Sequence, residues 1–536
     1  MAGAGLFFLT RIDEQDILSP QSVLCVFGAV LLFFYYEKRM SSEGFFTNRR
    51  KIVFSAFFSL LFSMSLFIGY QLRVFGVTSP GVKGKMGIFL YSFFLSFLFF
   101  PFFEHLFSYA DRRSGTIRGQ AEGKWNPGKA FFLSWGMIFI CWMPVFLAYY
   151  PGIMSYDSNR QFTEAYLGVF WNLQPVIHTF LIRLALLLGE RIGSYEMGVA
   201  AYTIIQMLVL SLSFAYSVSF AYELTKRRRI VILTSLFLGI CPVFSVLALC
   251  VTKDIFFTAF FLCFCTMALK RFLRKPKRPL VYDLGMLLCG VIMFQFRKNA
   301  IYGFALFALF YILAMKKERI RIAALCLVIL LCGWGGGRLL LVALNGTPGP
   351  KTEVFSVPIQ QMGHVAFFQR ENLTEEETEL LEKYIPGCTT NEGFNISLAD
   401  GLKYNASAKA WTDTPQMLKD WLSFGVKYPN DYLDAHLGLT AGYYFVDDIA
   451  ISRYLGYGRE NMRGLIETFN ASKPIEDYYA GVESRSVLPK LRYFLEGIVS
   501  DEQYLNWPVL SALFRPACYC WAMAAGYGLL LYKKRY

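Results

Sequence analysis

Charge is what this chain has least of. Only 17% of its 536 residues are Asp, Glu, Lys or Arg, where a soluble globular domain carries about a quarter. That shortage excludes an ordinary soluble enzyme. His is scarce too, at four residues, and no second His lies close enough to His178 in sequence to argue for a zinc site. Nothing resembles a phosphate-binding Gly loop. The run GWGGGR at 333–338 lies inside an apolar stretch, where close helix packing explains it. Of twelve Cys only Cys388 falls in the long polar segment, so that segment can form no internal disulfide. Cys263/Cys265 and Cys518/Cys520 are two apart in apolar runs without His or acidic neighbours, which points to core packing. No cleavable signal peptide is expected. The start MAGAGLFFLTRIDEQDILSP is polar and lacks a basic head, so the first apolar run is expected to serve as its own signal.

What is present in excess is apolar: 55% hydrophobic and 18% aromatic residues, gathered in runs of about twenty. The pattern predicts an all-α polytopic membrane protein with about eleven transmembrane helices, near 21–36, 52–70, 86–107, 131–150, 197–222, 230–250, 253–272, 281–296, 300–315, 320–344 and 506–532. Four regions follow: 1–130 with the first spans, 131–344 as a core bearing a loop at 150–196, a polar segment at 345–505, and 506–536 with the last span and tail.

The net charge of +14 is unevenly placed. Residues 345–505 hold 14 Lys+Arg against 23 Asp+Glu, a net of −9, and the remainder nets +23. The excess basic residues sit in short clusters between apolar runs, the positive-inside pattern and not a nucleic-acid groove. The clusters are Lys38/Arg39/Arg49/Arg50/Lys51, Arg112/Arg113/Arg118, Lys226 to Arg229, Lys270/Arg271/Arg274/Lys275/Lys277/Arg278, Lys316/Lys317/Arg319/Arg321 and Lys533/Lys534/Arg535. All can be cytoplasmic only if 175–190 (PVIHTFLIRLALLLGE), with Arg183 at its middle, lies along the outer surface instead of crossing. Arg73, Lys83 and Lys85 then fall outside, against the trend.

That arrangement places three polar elements on one outer face: the loop 150–196, the turn VTKD at 251–254, and the turn FRKNA at 296–300. The 345–505 segment reaches the same side and reads as a mainly helical domain. TEEETELLEKYIPG has a capping box from Thr374 to Glu377 and a stop at Gly387. DTPQMLKDWLSFG has Pro415 near a helix start, and YPNDYLDAHLGLTAGYYF gives a third helix. The sequons at Asn372, Asn395, Asn405 and Asn470 are expected to be external.

The candidate site residues come from the three outer elements. Asp157 could be a helix start, since Ser158 and Gln161 have capping-box spacing and an acid is favoured at a helix N-terminus. Its position at a membrane rim, in a loop far longer than a connector, favours catalysis or metal binding. Arg160 and Glu164 follow at helical spacing and read either as a local ion pair or, for Arg160, as a ligand contact. Lys253, Arg297 and Lys298 stand at outer span ends. They could snorkel to lipid phosphates or clamp an anionic substrate, with Asp254 a partner or second carboxylate. His178, after Pro175, is a hydrogen-bonder or substrate contact. Arg183 reads as a snorkelling side chain.

YYPGIMSYDSNRQ, then QPVIHTFLIR, VTKD, FRKNA and VPIQQMGHVAF, together resemble a largely uncharacterised bacterial multi-pass family similar to the GT-C glycosyltransferase superfamily. The resemblance covers roughly 130–370. It implies a sugar donor linked to polyprenyl phosphate or pyrophosphate and an acidic residue in the first large external loop, the position of Asp157. The paired acidic form is absent here, since Tyr156 and Ser158 flank Asp157. Gln174 stands where relatives commonly carry a His, ahead of Pro175 and His178.

The expectation is thus a multi-pass cell-membrane glycosyltransferase working on the outer face, inverting in outcome by single displacement. Asp157 is the expected base, and Arg160, His178, Lys253, Asp254, Arg297 and Lys298 the expected substrate contacts. The partners are the lipid-linked donor, a cell-envelope glycan or lipid acceptor and membrane lipids, without nucleic acid. No cofactor is assigned, and a divalent metal (Mg or Mn) held by Asp157 stays open. Two other readings stand beside it: a transporter or flippase of an anionic lipid-linked substrate, which would need charged or broken helices at mid-membrane, and a non-catalytic envelope assembly protein using 345–505 as a binding module.

Overall fold

The computed structural model describes residues 23–41, 48–78, 81–113, 125–154, 156–274, 276, 278–390, 393–447, 486–499 and 508–533. The expectations placed on the first twenty-two residues, on Lys83 and Lys85 side chains, and on Arg118, Lys275, Lys277, Asn470, Lys534 and Arg535 lie outside what is described. Among the described residues the chain is helical apart from two strands of two residues each, Trp171–Asn172 and Thr347–Pro348. Among the described residues, seven helices are long and apolar enough to cross a membrane: Arg49–Phe75, Met86–Tyr109, Pro127–Ala148, Tyr195–Thr225, Lys253–Leu273, Pro279–Phe296 and Arg319–Ala343. This is the all-α membrane class that the apolar runs predict.

The other four expected spans take a different form. Val23–Met40 ends in Glu37, Lys38 and Arg39, which shortens its apolar part. The 230–250 run breaks at Cys241 into Arg228–Ile240 and Pro242–Leu247, because proline lacks the N–H and crowds the preceding turn. Ala300–Ala314 has 15 residues, about 22 Å of helix against a hydrocarbon core of about 30 Å. The last run is interrupted before Pro516, leaving Pro508–Leu513 and Pro516–Tyr532. Segment 175–190 is one helix, Val176–Ile192, and is not among the seven.

The chain folds as two compact units, one of residues 121–349 with 451–511, the other of 1–120 with 350–450 and 512–536. Of the described residues in the polar segment 345–505, 345–349 and 486–499 belong to the first unit and 350–390 and 393–447 to the second.

The unit built around 121–349 holds helices α1 (Pro127–Ala148), α2 (Tyr156–Leu167), α3 (Val176–Ile192), α4 (Tyr195–Thr225), α5 (Arg228–Ile240), α6 (Pro242–Leu247), α7 (Lys253–Leu273), α8 (Pro279–Phe296), α9 (Ala300–Ala314), α10 (Arg319–Ala343) and α11 (Pro489–Val499). Helix α4 is central, buried along much of its length from Gly198 to Tyr222. A Cβ on Gly198 would sit 2.0 Å from the Ala185 carbonyl, so glycine is what lets α3 and α4 cross so closely. One core joins Ile138, Trp142 and Phe146 of α1 to Met207 and Leu210 of α4, and Leu495 of α11 belongs to it. A second joins Phe162 of α2, Ile182 and Leu186 of α3, Tyr202 of α4, Phe256 of α7 and Phe296 of α8. This second core anchors the polar elements described below.

In the other unit the expected capping box is present: Thr374 accepts from the Glu377 N–H and Glu377 from the Thr374 N–H, opening Glu375–Tyr384. The second expected helix is Thr414–Lys427 with proline in its first turn, and the third is Pro429–Leu439 followed by Ala441–Tyr444. The VPIQQMGHVAF run forms Ser356–Phe368, whose buried residues include Ile359, Met362 and Val365. Its His364 bonds Asp431 Oδ1 at 3.1 Å and the Gly76 carbonyl at 2.9 Å, tying three elements of this unit.

Candidate functional site

The site is assembled where several loops of the 121–349 unit converge. Ile153 forms a parallel bridge with Cys250, which sets the start of α2 beside the start of α7. Just beyond that bridge in each chain segment the acid and the base face each other. Lys253 Nζ, in the first turn of α7, makes an ion pair with Asp157 Oδ2. Gln174 Nε2 donates to the other oxygen, Asp157 Oδ1, at 3.0 Å. The Asp157 side chain stays 39% exposed, while Lys253 is only 14% exposed.

Two more of the expected cations, Arg297 and Lys298, continue from this pair into a ring. Asp254, next to Lys253, accepts from Arg297 Nη1 at 2.6 Å. Lys298, next to Arg297, donates to the Asn172 carbonyl at 2.7 Å. Asn172 lies two residues before Gln174, which returns the ring to Asp157. The strand Trp171–Asn172 pairs in parallel with Thr347–Pro348. A Cβ on Gly349 would meet the Asn172 carbonyl at 2.4 Å, so a glycine is needed where the chain leaves α10 and passes the site. Loops around 157, 172, 253, 297 and 347 are thereby pinned by reciprocal polar contacts. Asp157, Lys253, Asp254, Arg297 and Lys298 are brought together as this ring.

His178 is not part of it. The residue is fully buried, with Nδ1 2.7 Å from Gln161 Oε1 and Nε2 2.7 Å from the Tyr202 hydroxyl. The Tyr202 hydroxyl also lies 3.1 Å from Gln206 Oε1, and Gln206 Nε2 donates to the Ala248 and Cys250 carbonyls. Burial lowers the pKa of His178 to about 3, so the ring is neutral. A neutral ring has one hydrogen for two nitrogens. With the Gln161 oxygen facing Nδ1, the single Tyr202 hydrogen is wanted by both Nε2 and Gln206. Turning the Gln161 amide, with Thr179 donating to its oxygen, gives every member one hydrogen. Either way both nitrogens are engaged within the protein, which corrects the expectation that His178 contacts substrate. It links α2, α3 and α4 and, through Gln206, fixes the backbone that leads to Lys253. The Ser158–Gln161 capping box is corrected as well, since the Gln161 side chain bonds Thr179 and His178.

Arg160 is held locally. Its Nε donates to Glu164 Oε1 at 3.2 Å, and its guanidinium carbon lies 4.0 Å from the centre of the Trp171 ring. Glu164 is fully buried and its Oε2 has no hydrogen-bond partner among the described residues. Burial raises its pKa to about 7, with Arg160 opposing. Arg183 does not snorkel: its Nη1 donates to the Ala165 and Tyr166 carbonyls and caps the C-terminal end of α2.

The sequence profile of a family of unknown function, DUF6020, matches residues 168–535. The chain belongs to that family. No curated protein and no solved structure matches it. The match to DUF6020 takes in Gln174, Lys253, Asp254, Arg297 and Lys298 and begins after Asp157 and Arg160.

The donors at Asp157 decide how this DUF6020 member could treat a divalent metal. Its oxygens face an ammonium and an amide N–H, both of which repel a cation, and Asp254 is paired with a guanidinium. Among the described residues no three His, Cys, Asp or Glu side chains gather as a ligand set. As paired here, Asp157 and Asp254 form no protein-only cage for Mg or Mn. Lys253 on Asp157, Arg297 on Asp254 and Lys298 on the Asn172 carbonyl are cations for which an anion could compete. Gln174 and Asn172 are the contributors that a reading based on charge passes over. Gln174 is neutral, and Asn172 acts through its backbone.

Proposed function

We propose that the chain is a membrane glycosyltransferase that moves a sugar from a polyprenyl-phosphate donor to a cell-envelope acceptor on the outer face of the membrane. The observation that carries this reading is the Asp157–Lys253 pair with its surrounding ring of Arg297, Lys298 and Gln174. A carboxylate next to exchangeable cations suits a reaction in which a hydroxyl loses a proton while a phosphate leaves.

In this mechanism the donor phosphate competes for Lys253. As Lys253 turns to the phosphate, Asp157 keeps the Gln174 bond and its other oxygen becomes free. That oxygen takes the proton from the acceptor hydroxyl. The acceptor oxygen bonds to the anomeric carbon, the bond from that carbon to the phosphate oxygen breaks, and the electron pair leaves with the lipid phosphate. Arg297 and Lys298 are the further cations for that leaving charge. A single displacement of this kind inverts the anomeric centre. A positioned base contributes about 10²- to 10⁴-fold.

The test offers purified protein a panel of radiolabelled polyprenyl-phosphate sugars with a membrane extract as acceptor, using wild type and Asp157→Asn of equal size-exclusion behaviour. Transfer by wild type and none by the variant is expected. Equal transfer by both removes Asp157 from the chemistry. Translocation of a labelled lipid across vesicles without transfer would favour the flippase reading instead.

A further inference from the structure

Helix α10 carries three charged residues, all of them Arg: 319, 321 and 338. Arg321 pairs with Asp283 at 2.6 Å. Arg338 is different. Its guanidinium lies over the ring of Trp334, 3.8 Å from guanidinium carbon to ring centre. It is exposed, and so are Leu327, Leu331, Trp334, Leu339 and Val342 of the same helix. An arginine thus projects from an apolar, outward-turned surface.

Snorkelling does not account for its direction. Helical side chains lean toward the helix N-terminus, and Trp334 lies one turn N-terminal to Arg338. The guanidinium is therefore turned back along the helix, away from the polar end at 345–349. Helix α10 has 25 residues, about 37 Å, against an apolar core of about 30 Å. With Arg319 and Arg321 at one boundary, the other falls about twenty residues on, near 340. The guanidinium then sits about one turn inside the apolar layer. The Trp334 ring offsets part of the cost of a charge there, and an anion would offset more. The helix surface is open at Gly335, one turn before Arg338, where a Cβ would meet nothing within 4 Å.

We propose that Arg338 and Trp334 form a binding site for the headgroup phosphate of an anionic phospholipid. A molecule that reaches this surface must come through the bilayer, and the arginine selects among such molecules by charge. Guanidinium binds phosphate in a two-pronged geometry that an ammonium cannot reproduce. The inference rests on the apolar helices and stands whether or not the chain transfers sugars.

The experiment uses the full chain in phosphatidylcholine vesicles carrying a small fixed fraction of brominated lipid, which quenches nearby Trp fluorescence. The Trp334 signal is obtained as the difference from Trp334→Phe. Brominated phosphatidylglycerol is expected to quench Trp334 with about tenfold higher apparent affinity than brominated phosphatidylcholine, as a hydrogen bond to a charged group implies. Arg338→Gln is expected to erase the preference and Arg338→Lys to keep part of it. Equal quenching of wild type by the two lipids overturns the proposal without reference to any variant at 338. So does a preference that survives Arg338→Gln. Displacement of the brominated phosphatidylglycerol by an equimolar polyprenyl phosphate would assign the site to that amphiphile and overturn the phospholipid assignment.

Discussion

The two ends of α7 carry the same kinds of charge and use them differently. At its start, contacts run in single pairs: Lys253 with Asp157, and Asp254 with Arg297, the last two 42% and 50% exposed. At its far end, contacts are shared. Arg271, with no exposed side-chain surface, pairs with both Asp283 and Glu318, and Asp283 also holds Arg321. Lys270 and Arg274 share Glu223 at 2.6 and 3.2 Å. The 21 residues of the helix span about 30 Å, the thickness of a bilayer core. A shared buried cluster cannot lose a member without stranding a charge, so it acts as a fixed strut. A pair that keeps solvent-exposed members, as Asp157, Asp254 and Arg297 are, has less to lose and can change partners, which is what a site that admits an anion requires.

The sharpest way to break the comparison is to remove one cation from each end. Lys253→Ala is expected to lower transfer by about 10²- to 10³-fold, the effect of losing one donor to a developing charge, with a melting temperature close to wild type. Arg271→Ala is expected to do the reverse in kind, destabilising by about 3–5 kcal/mol in thermal or denaturant unfolding, with transfer falling only in step with the folded fraction. If Arg271→Ala unfolded no more readily than Lys253→Ala, the distinction between strut and exchangeable pair would be lost.

His178 belongs with the struts although it lies near the site. His178→Phe leaves Gln161 and Tyr202 short of a buried partner, which costs about 1–3 kcal/mol for each unsatisfied group. Stability is the expected readout, with the donor KM unchanged. A raised KM at unchanged stability would return His178 to the binding residues.

Glu164 sharpens the comparison through pH. Its carboxyl has a pKa of about 7 in the folded chain against an ordinary 4.5. Between those values the folded state holds more protons than the unfolded state, so stability falls as pH rises from about 4.5 to about 7 and levels off above. Glu164→Gln is expected to flatten that slope when melting temperature is followed against pH. An unchanged slope would show that other groups set it. The smallest effect is expected at Arg297→Ala: a surface pair contributes about 1 kcal/mol or less to stability, while the donor KM rises a few-fold.

Much of this contrast is legible in the sequence. Lys253, Asp254, Arg297 and Lys298 stand out because charges at the ends of apolar runs are visible without any structure. The capping box at Thr374 is likewise readable from local chemistry. Pro242 marks the break in the 230–250 run, although the length of that run alone suggests one unbroken span. What cannot be read are partners set by tertiary packing. Nothing in the spacing of Gln174, Asn172 and Asp157 shows that an amide and a backbone carbonyl complete the ring. Nor does a lone histidine announce that Gln161 and Tyr202 will enclose it. The return of 486–499 to α1, where the Val487 N–H bonds the Leu147 carbonyl at 2.9 Å, joins segments far apart in the chain and leaves no local trace.

Exchanging the two partners tests the central claim most directly. The double variant Asp157→Lys with Lys253→Asp keeps the ion pair and reverses it. Its melting temperature and its rate of sugar transfer should be measured on the same preparation. A melting temperature near that of wild type with transfer at least about 100-fold slower is the expected result, because the carboxylate then stands on the wrong side of the pair to take the acceptor proton. Transfer near the wild-type rate would mean that Asp157 and Lys253 are one more strut.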